Sequence, residues 1–240
     1  MTKSDERGGV ALWRRIADDI RLDIVGGKLA RGEQLPTEAV MAERFSANRH
    51  TVRRALAVLA EEGVVRAEQG RGTFVNEARR LSYRIGRRTR FSEGLAGQAR
   101  DAHGELLSTR LENATANVAQ GLGIRPGQRV VRLETLSHAD GRPLSRGTGW
   151  FSYQRFSTIG EIYAETGSIT QALKQLGVAD YSRHSTRISA RYADPDEIRT
   201  IRLVPGAVML VTEIVDIDAD GRPIQYALTR FPADRVELVV

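Results

Sequence analysis

The 240-residue chain contains no cysteine, and it is almost as poor in lysine: of its 36 basic residues, three are lysine and 33 are arginine. Without thiols there is no disulfide framework, no thiolate metal ligation and no cysteine nucleophile, and the composition agrees with a cytoplasmic address. Nowhere do eighteen apolar residues run together, and the start, MTKSDERGGVALWRR, has no apolar leader core, so neither a membrane span nor a secretory leader is expected. The preference for arginine fits a mutational bias of the source genome as readily as a need for guanidinium chemistry. What is present in quantity is apolar material: 41% of 240 residues is more than one core usually organises, and two domains are the natural reading.

The net charge of +6 is unevenly spread. Residues 1–80 hold 15 basic against 12 acidic side chains, residues 81–92 hold four arginines and no acid, and residues 93–240 hold 17 against 18. The excess sits in the first ninety residues, as suits a module that meets DNA phosphates, where each neutralised phosphate releases counterions.

Leu12, Ile16, Ile20 and Ile24 recur every four residues and predict a first helix, ended by Gly26-Gly27. After a turn with Gly32 and Pro36, Thr37 is placed to cap a second helix, with Glu38 in its first turn and Met41 and Phe45 inward. Only Ser46-Ala47 separates this from a third helix, capped by Asn48, with Val52, Ala55, Leu56 and Leu59 on one side. Two helices joined so tightly pack steeply, as in a helix-turn-helix. Burying the apolar side of the third helix leaves Asn48, Arg49, His50, Thr51 and Arg53 at its exposed N-terminal end, where a recognition helix meets bases. Val64 to Arg66 and Thr73 to Val75 read as two short strands joined by Glu68-Gln69-Gly70-Arg71-Gly72, a wing whose tip presents Gly70 and Arg71. Taken singly, each arginine is better explained as a solvated surface residue; the coincidence of three helices, a basic face and a glycine-rich hairpin carries the DNA-binding reading. His50 has no second ligand nearby, and no metal site is expected.

Leu35-Pro36-Thr37-Glu38, the run Asn48 to Leu56, Glu62-Gly63 and the run Gln69 to Val75 resemble the GntR superfamily of bacterial regulators. The resemblance implies DNA contacts from Asn48, Arg49, His50, Thr51, Arg53, Gly70 and Arg71. Ala39 stands where many members have an arginine that touches DNA, so that contact is not carried over.

Arg79, Arg80, Arg84, Arg87, Arg88 and Arg90 fall within twelve residues without an acid, either a solvated linker or a phosphate-tracking or anion-holding segment. Past Phe91 the pattern turns to strands: Val130 to Leu136, Val208 to Ile217, and an exposed or half-buried alternation from Arg183 to Tyr192. Asp140-Gly141-Arg142-Pro143 and Asp220-Gly221-Arg222-Pro223 are matching turn signals. Leu122 to Gly127 and Ile201 to Gly206 repeat a helix, Pro-Gly turn, strand plan, which points to an internal duplication and an antiparallel α+β sheet. The expected organisation is a winged helix-turn-helix over 1–78, an Arg-rich linker over 79–92 and an effector domain over 93–240.

This second half resembles the UTRA domain of the HutC branch of the same superfamily, and within it the regulators of phosphonate metabolism, through Arg88 to Ser92, Arg132 to Leu136, Gly167 to Thr170 and the ending from Gly221 to Val236. The resemblance implies a chorismate-lyase-like fold, an anionic effector such as a phosphonate or phosphate, a palindromic operator, a homodimer and no cofactor. It also implies effector contacts from Arg90, Phe91, Ser92, Arg132, Ser168 and Thr170, with Gln225 and Arg230 on the last hairpin. Ser168 is equally explained as a helix cap. Glu134 occupies a place where some such sensors have arginine: either the ligand carries an amino group, or Glu134 pairs with a neighbouring arginine.

An enzyme on this fold is the competing class. His103, His138 and His184 lack spaced partners, and neither a Gly-x-Ser-x-Gly elbow nor a Walker loop occurs. Asp216, Asp218 and Asp220 alternate with Ile217 and Ala219 and read as an exposed strand end rather than a cation site.

Overall fold

A computed structural model describes residues 6–76, 80–86, 98, 101–203 and 205–240, with side chains from residue 12 onward. The chain divides into two compact units, Met1–Arg79 and Arg80–Val240.

The first unit is three helices and a hairpin: α1 (Glu6–Val25), α2 (Glu38–Arg44), α3 (Arg49–Glu61), β1 (Val65–Glu68) and β2 (Gly72–Val75). The caps fall where the sequence puts them. The Thr37 hydroxyl accepts from the Val40 amide, and the Asn48 side-chain oxygen Oδ1 accepts from the Thr51 amide at 2.7 Å, each satisfying a backbone donor that the first turn leaves open. Ile16, Ile20, Leu35, Met41, Val52, Leu56 and Leu59 close one core with Val65 and Val75 of the hairpin. Gln34 bridges Phe74, so the chain entering α2 is stitched to the wing.

The second unit is built on one six-stranded antiparallel sheet. In chain order its elements are β3 (Leu81–Arg84), β4 (Ala102–Asn113), α4 (Ala116–Leu122), β5 (Arg129–Ala139), β6 (Arg142–Ser152), α5 (Tyr153–Phe156), α6 (Ile159–Thr166), α7 (Ile169–Gln175), β7 (Tyr181–Tyr192), α8 (Pro195–Ile201), β8 (Val208–Asp218), β9 (Pro223–Pro232) and β10 (Val236–Val239). The sheet order β4-β5-β6-β9-β8-β7 is two copies of a strand, helix, hairpin unit joined at β6 and β9, which agrees with a duplication. The repeat reaches the backbone: Gly123 and Arg202 both end their helices in the left-handed region, and Gly127 and Gly206 share a φ of 84° in the following turns. Arg202 does without glycine what Gly123 does with it.

Part of the stretch expected to be linker is structure. Leu81–Arg84 forms β3, paired in parallel with β10, and Tyr83 packs on Phe231 in a small core with Ala139, Leu144 and Val236. The partner strand lies at the far end of the chain, which is why local reading of the arginine-rich run misses it.

Side chains alternate across the sheet. Along β5, Val130, Arg132, Glu134 and Leu136 face one side, where α4 packs on Val130 and α8 on Leu136. Val131 and Leu133 face the other, under α5, α6 and α7 with Phe151 and Ile224. No described helix is long and apolar enough to cross a membrane.

Candidate functional site

The reading surface of the first unit starts from how α3 is held. Its apolar side is sealed, with Val52, Ala55 and Leu59 fully buried, so Arg49, His50 and Arg53 stand exposed on the opposite side. Among the described residues Arg49 and His50 make no hydrogen bond or ion pair. Arg53 does: its guanidinium donates to both Glu38 carboxylate oxygens at 3.1 and 2.7 Å, a bidentate clasp of α3 to α2, and this arginine holds the Glu38 carboxyl below its ordinary range. Asn48 and Thr51 are also occupied, since the Thr51 hydroxyl donates to Asn48 at 2.8 Å beside the capping bond. On the wing, Gly70 has a φ of 75°, and Arg71 lies against Phe74 while donating to Glu68 at 2.6 Å. The sequence-expected contacts therefore share one exposed surface within α3 and one hairpin tip. The Glu38 and Glu68 clasps were not expected from the sequence; each sets a carboxylate against a guanidinium of the exposed surface.

Beneath this surface Asp23 joins α1 to α2, accepting from Arg44 at 2.6 Å and Lys28 at 3.0 Å, and these two cations depress its pKa. Trp13 lies between Arg14 and Arg54, at 5.3 and 5.0 Å.

The second unit divides its polar residues between the two faces of the sheet. On the face of Arg132, Glu134 is 7% exposed and gathers the neighbours. Arg132 donates to it at 3.1 and 2.5 Å, Arg146 at 3.3 Å and the Thr148 hydroxyl at 2.8 Å, while an Arg230 amino group lies 3.5 Å away. Arg230 also donates twice to Thr148 at 2.8 Å, and its Nε lies 3.3 Å from Glu197. Glu197 is 1% exposed, completes the capping box of α8 with Asp194, and takes a bidentate pair of bonds from Arg191 at 2.7 and 2.6 Å. Burial pulls the Arg230 pKa down against the pull of both glutamates. For Glu197 burial works upward, yet Arg191 and the Asp194 backbone outweigh it and leave the carboxyl below its usual value. Glu134 thus pairs with its arginines, which was one of the two alternatives the sequence left open. Beside the network lies a cleft of about 250 Å³ lined by Leu107, Ser108, Arg110, Arg132, Glu134, Arg146 and Asp196. It holds three guanidinium groups against two carboxylates, and Arg110 has no ion-pair partner among the described residues.

Ser168, Thr170 and Gln225 are not brought to this cluster. They belong to the opposite face, where α7 packs on Val131, Leu133 and Phe151. Ser168 is a helix cap, its hydroxyl accepting from the Gln171 amide at 3.3 Å, and the Thr170 hydroxyl lies 2.8 Å from that of Tyr181. Arg90, Phe91 and Ser92 lie outside the described residues. The expectation that Asp216 and Asp218 form an exposed strand end is overturned: Asp216 is 2% exposed and bonded by Arg183 at 3.3 Å, and Asp218 bonds Arg155 at 2.8 Å. Asp220 alone is open, at 71% side-chain exposure. With β9 paired on one side and β7 on the other, β8 is an inner strand where a sequence pattern read alone sees an edge.

His103 and His138, read as isolated, are cross-strand partners whose rings stack at 5.1 Å. Among the described residues no group of three or more histidine or acidic side chains is arranged to hold a metal ion.

Comparison with known proteins agrees with this architecture. Residues 12–75 match the bacterial regulatory proteins of the gntR family, and residues 97–237 match the UTRA domain. An uncharacterised HTH-type transcriptional regulator of Rhizobium meliloti is 48% identical over 96% of this chain and 94% of its own length. The probable transcriptional regulator PhnF of Escherichia coli is 33% identical over 87% and 86%. The mannosyl-D-glycerate transport/metabolism system repressor MngR of the same organism is 35% identical over 63% of each chain. Among solved structures, PhnF from Mycobacterium smegmatis superposes with a TM-score of 0.61 at 22% identity, covering 93% of this chain and 97% of its own.

Proposed function

Since the chain belongs to the GntR family of bacterial regulatory proteins, in the branch that carries a UTRA domain, and is thus a transcriptional regulator, we propose that it is a repressor released from its operator by a small phosphonate- or phosphate-type anion. Supporting this is the pairing in one chain of an exposed recognition-helix turn with a guanidinium-rich cleft in the second unit. Arg49 is free to reach a guanine edge, where a bidentate contact discriminates by about 1–3 kcal/mol. Arg110, Arg132 and Arg146 supply the fork geometry that an oxyanion needs, and their excess over Glu134 and Asp196 favours a ligand of negative charge. A homodimer on a palindrome is the arrangement that two such recognition helices serve.

Similarity to PhnF supports a phosphonate; similarity to the MngR repressor supports repression and keeps a phosphosugar or carboxylate as the alternative effector. The relatives are named transcriptional regulators, and that argues for binding rather than turnover.

Release depends on the anion preferring the state that cannot hold DNA. Fluorescence anisotropy on an operator fragment, with and without saturating ethylphosphonate, phosphate or a phosphosugar, tests the proposal. The expected result is a loss of operator affinity of about 5- to 150-fold with one of them, the span of ordinary allosteric coupling. Unchanged affinity with all three overturns it.

A further inference from the structure

Two imidazoles face each other across the start of an edge strand. His103 on β4 is directly opposite His138 on β5, and their rings stack at a centroid distance of 5.1 Å with 15° between the planes. The two positions differ in their access to water and to acid. The His103 side chain is 52% exposed, and its Nδ1 lies 3.3 Å from an Asp101 carboxylate oxygen. His138 is half-buried, and its Nδ1 is closed off from solvent with no hydrogen-bond partner among the described residues. A charge on His103 is therefore balanced on the spot, whereas a charge on His138 is not.

The groups around His138 oppose a proton there. β4 brings His103, Asp101 and Glu105, the end of α8 brings Arg202, and the hairpin that follows His138 carries Asp140 and Arg142. Arg235 is a further cation, donating to the carbonyl oxygens of Arg202 and of Pro143, the residue opposite His138 on β6. Burial first, then His103 and Arg202, hold the His138 pKa below the ordinary 6.5, while Glu105 and Asp101 pull the other way. The ring takes its proton more readily once the strand end has opened. Acid therefore favours opening as pH falls through 6.5 toward the lowered value.

The hydrogen-bond ladder is thin at this end. Pro143 has no amide to give to His138, the pairing of β5 with β6 shifts register between Ser137 and His138, and the pairing of β4 with β5 ends at Ala102. What the strand end holds lies on the other face of the sheet. Gly104 packs backbone to backbone on the turn between α6 and α7: a Cβ there would collide with the Tyr163 hydroxyl and stand 2.5 Å from the Gly167 carbonyl oxygen. Gly167, at a φ of 61°, ends α6, and Ser168 caps α7.

We infer that the His103–His138 stack is a proton-operated latch on the start of β4. Neutral, it pins that end to β5 and keeps Gly104 against Gly167. Two protons on stacked rings repel, the end of β4 lifts, and the α6–α7 turn loses the backbone it rests on. Proton concentration then acts on the second unit independently of any anion and of DNA.

Amide hydrogen exchange of the full chain at about pH 7.5 and about pH 5.5, without DNA or anion and corrected for the intrinsic pH dependence of exchange, tests it. Expected in mild acid is a fall of about tenfold in the protection of residues 103–106 and of Gly167, with residues 110–113 at the far end of β4 unchanged. His138→Phe keeps a ring in the stack and removes the buried proton site, and is expected to abolish the fall. His103→Phe, which removes the repelling charge at an exposed position, is expected to shrink it. Unchanged protection in the parent, an equal fall along the whole of β4, or a fall that survives in His138→Phe overturns the inference. If His138→Phe does not fold, a fall retained in full by His103→Phe overturns it.

Discussion

Arg49 and Arg230 carry the same side chain into opposite surroundings. Arg49 stands in the first turn of α3, exposed and without an ion pair among the described residues, while the Arg230 side chain is 10% exposed between Thr148, Glu134 and Glu197. The exposed guanidinium is hydrated and free to exchange that water for a phosphate or a base edge. The buried one has been desolvated already, and the carboxylates around it offset that cost. In a chain where arginine replaces lysine almost throughout, residue type says nothing of role. Accessibility and the nearest carboxylate decide it.

The largest effect is expected where a buried arginine loses its acid. Glu197→Gln leaves the buried Arg230 and the part-exposed Arg191 facing an amide at a position 1% exposed. Because Arg230 keeps Glu134 nearby and Arg191 reaches water, the cost is about 3 kcal/mol, the low end for unpairing a buried charge. Urea unfolding followed on the second unit's transition should show a loss of this size; a change under about 1 kcal/mol means the network is far wetter than its burial indicates. An effect of intermediate size is expected at the clasp on the recognition helix. Glu38→Gln removes the carboxylate that occupies Arg53, so non-specific DNA affinity should rise a few-fold and its salt dependence steepen by roughly one phosphate contact. A fall in affinity in a filter-binding assay shows instead that Glu38 positions Arg53 productively.

A smaller effect separates the two units by pH. Arg44 and Lys28 hold Asp23 below its ordinary value of 3.8, so its contribution to stability is complete above that value and is lost as pH falls through the lowered folded pKa. Asp216 has the opposite sign: burial raises it, so it costs stability once both states are ionised, and acid relieves that cost. Asp23→Asn is expected to flatten the acid loss of the first unit's thermal transition below pH 3.8, and Asp216→Asn to leave that transition unmoved. Parallel acid profiles for parent and Asp23→Asn break the comparison.

What local chemistry dictates was legible in the sequence. The four-residue spacing of α1, the caps at Thr37 and Asn48, the wing glycines and the paired Asp-Gly turns are each decided within a few residues, and each is where it was expected. The duplication was legible because its signal is a turn grammar written twice. Long-range pairing was not: β3 exists through β10, and nothing near Leu81 announces Val236. The faces of the sheet were not legible either. Alternation shows that Arg132 and Glu134 share a side, but only the packing of α7 shows that Ser168 and Thr170 belong to the other. For Asp216 the alternation with Ile217 looks like an edge, because the pairing with β7 that makes β8 an inner strand joins residues far apart in sequence.

The division of labour between exposed and buried arginines is tested most directly by measuring the anisotropy of one operator fragment, selected from random DNA by the parent chain, against Arg49→Ala and Arg146→Ala in the absence of effector. The account predicts that Arg49→Ala loses roughly 10- to 100-fold in affinity, as befits about 1–3 kcal/mol of base contact, while Arg146→Ala binds as the parent does. Operator binding undiminished in Arg49→Ala would contradict it.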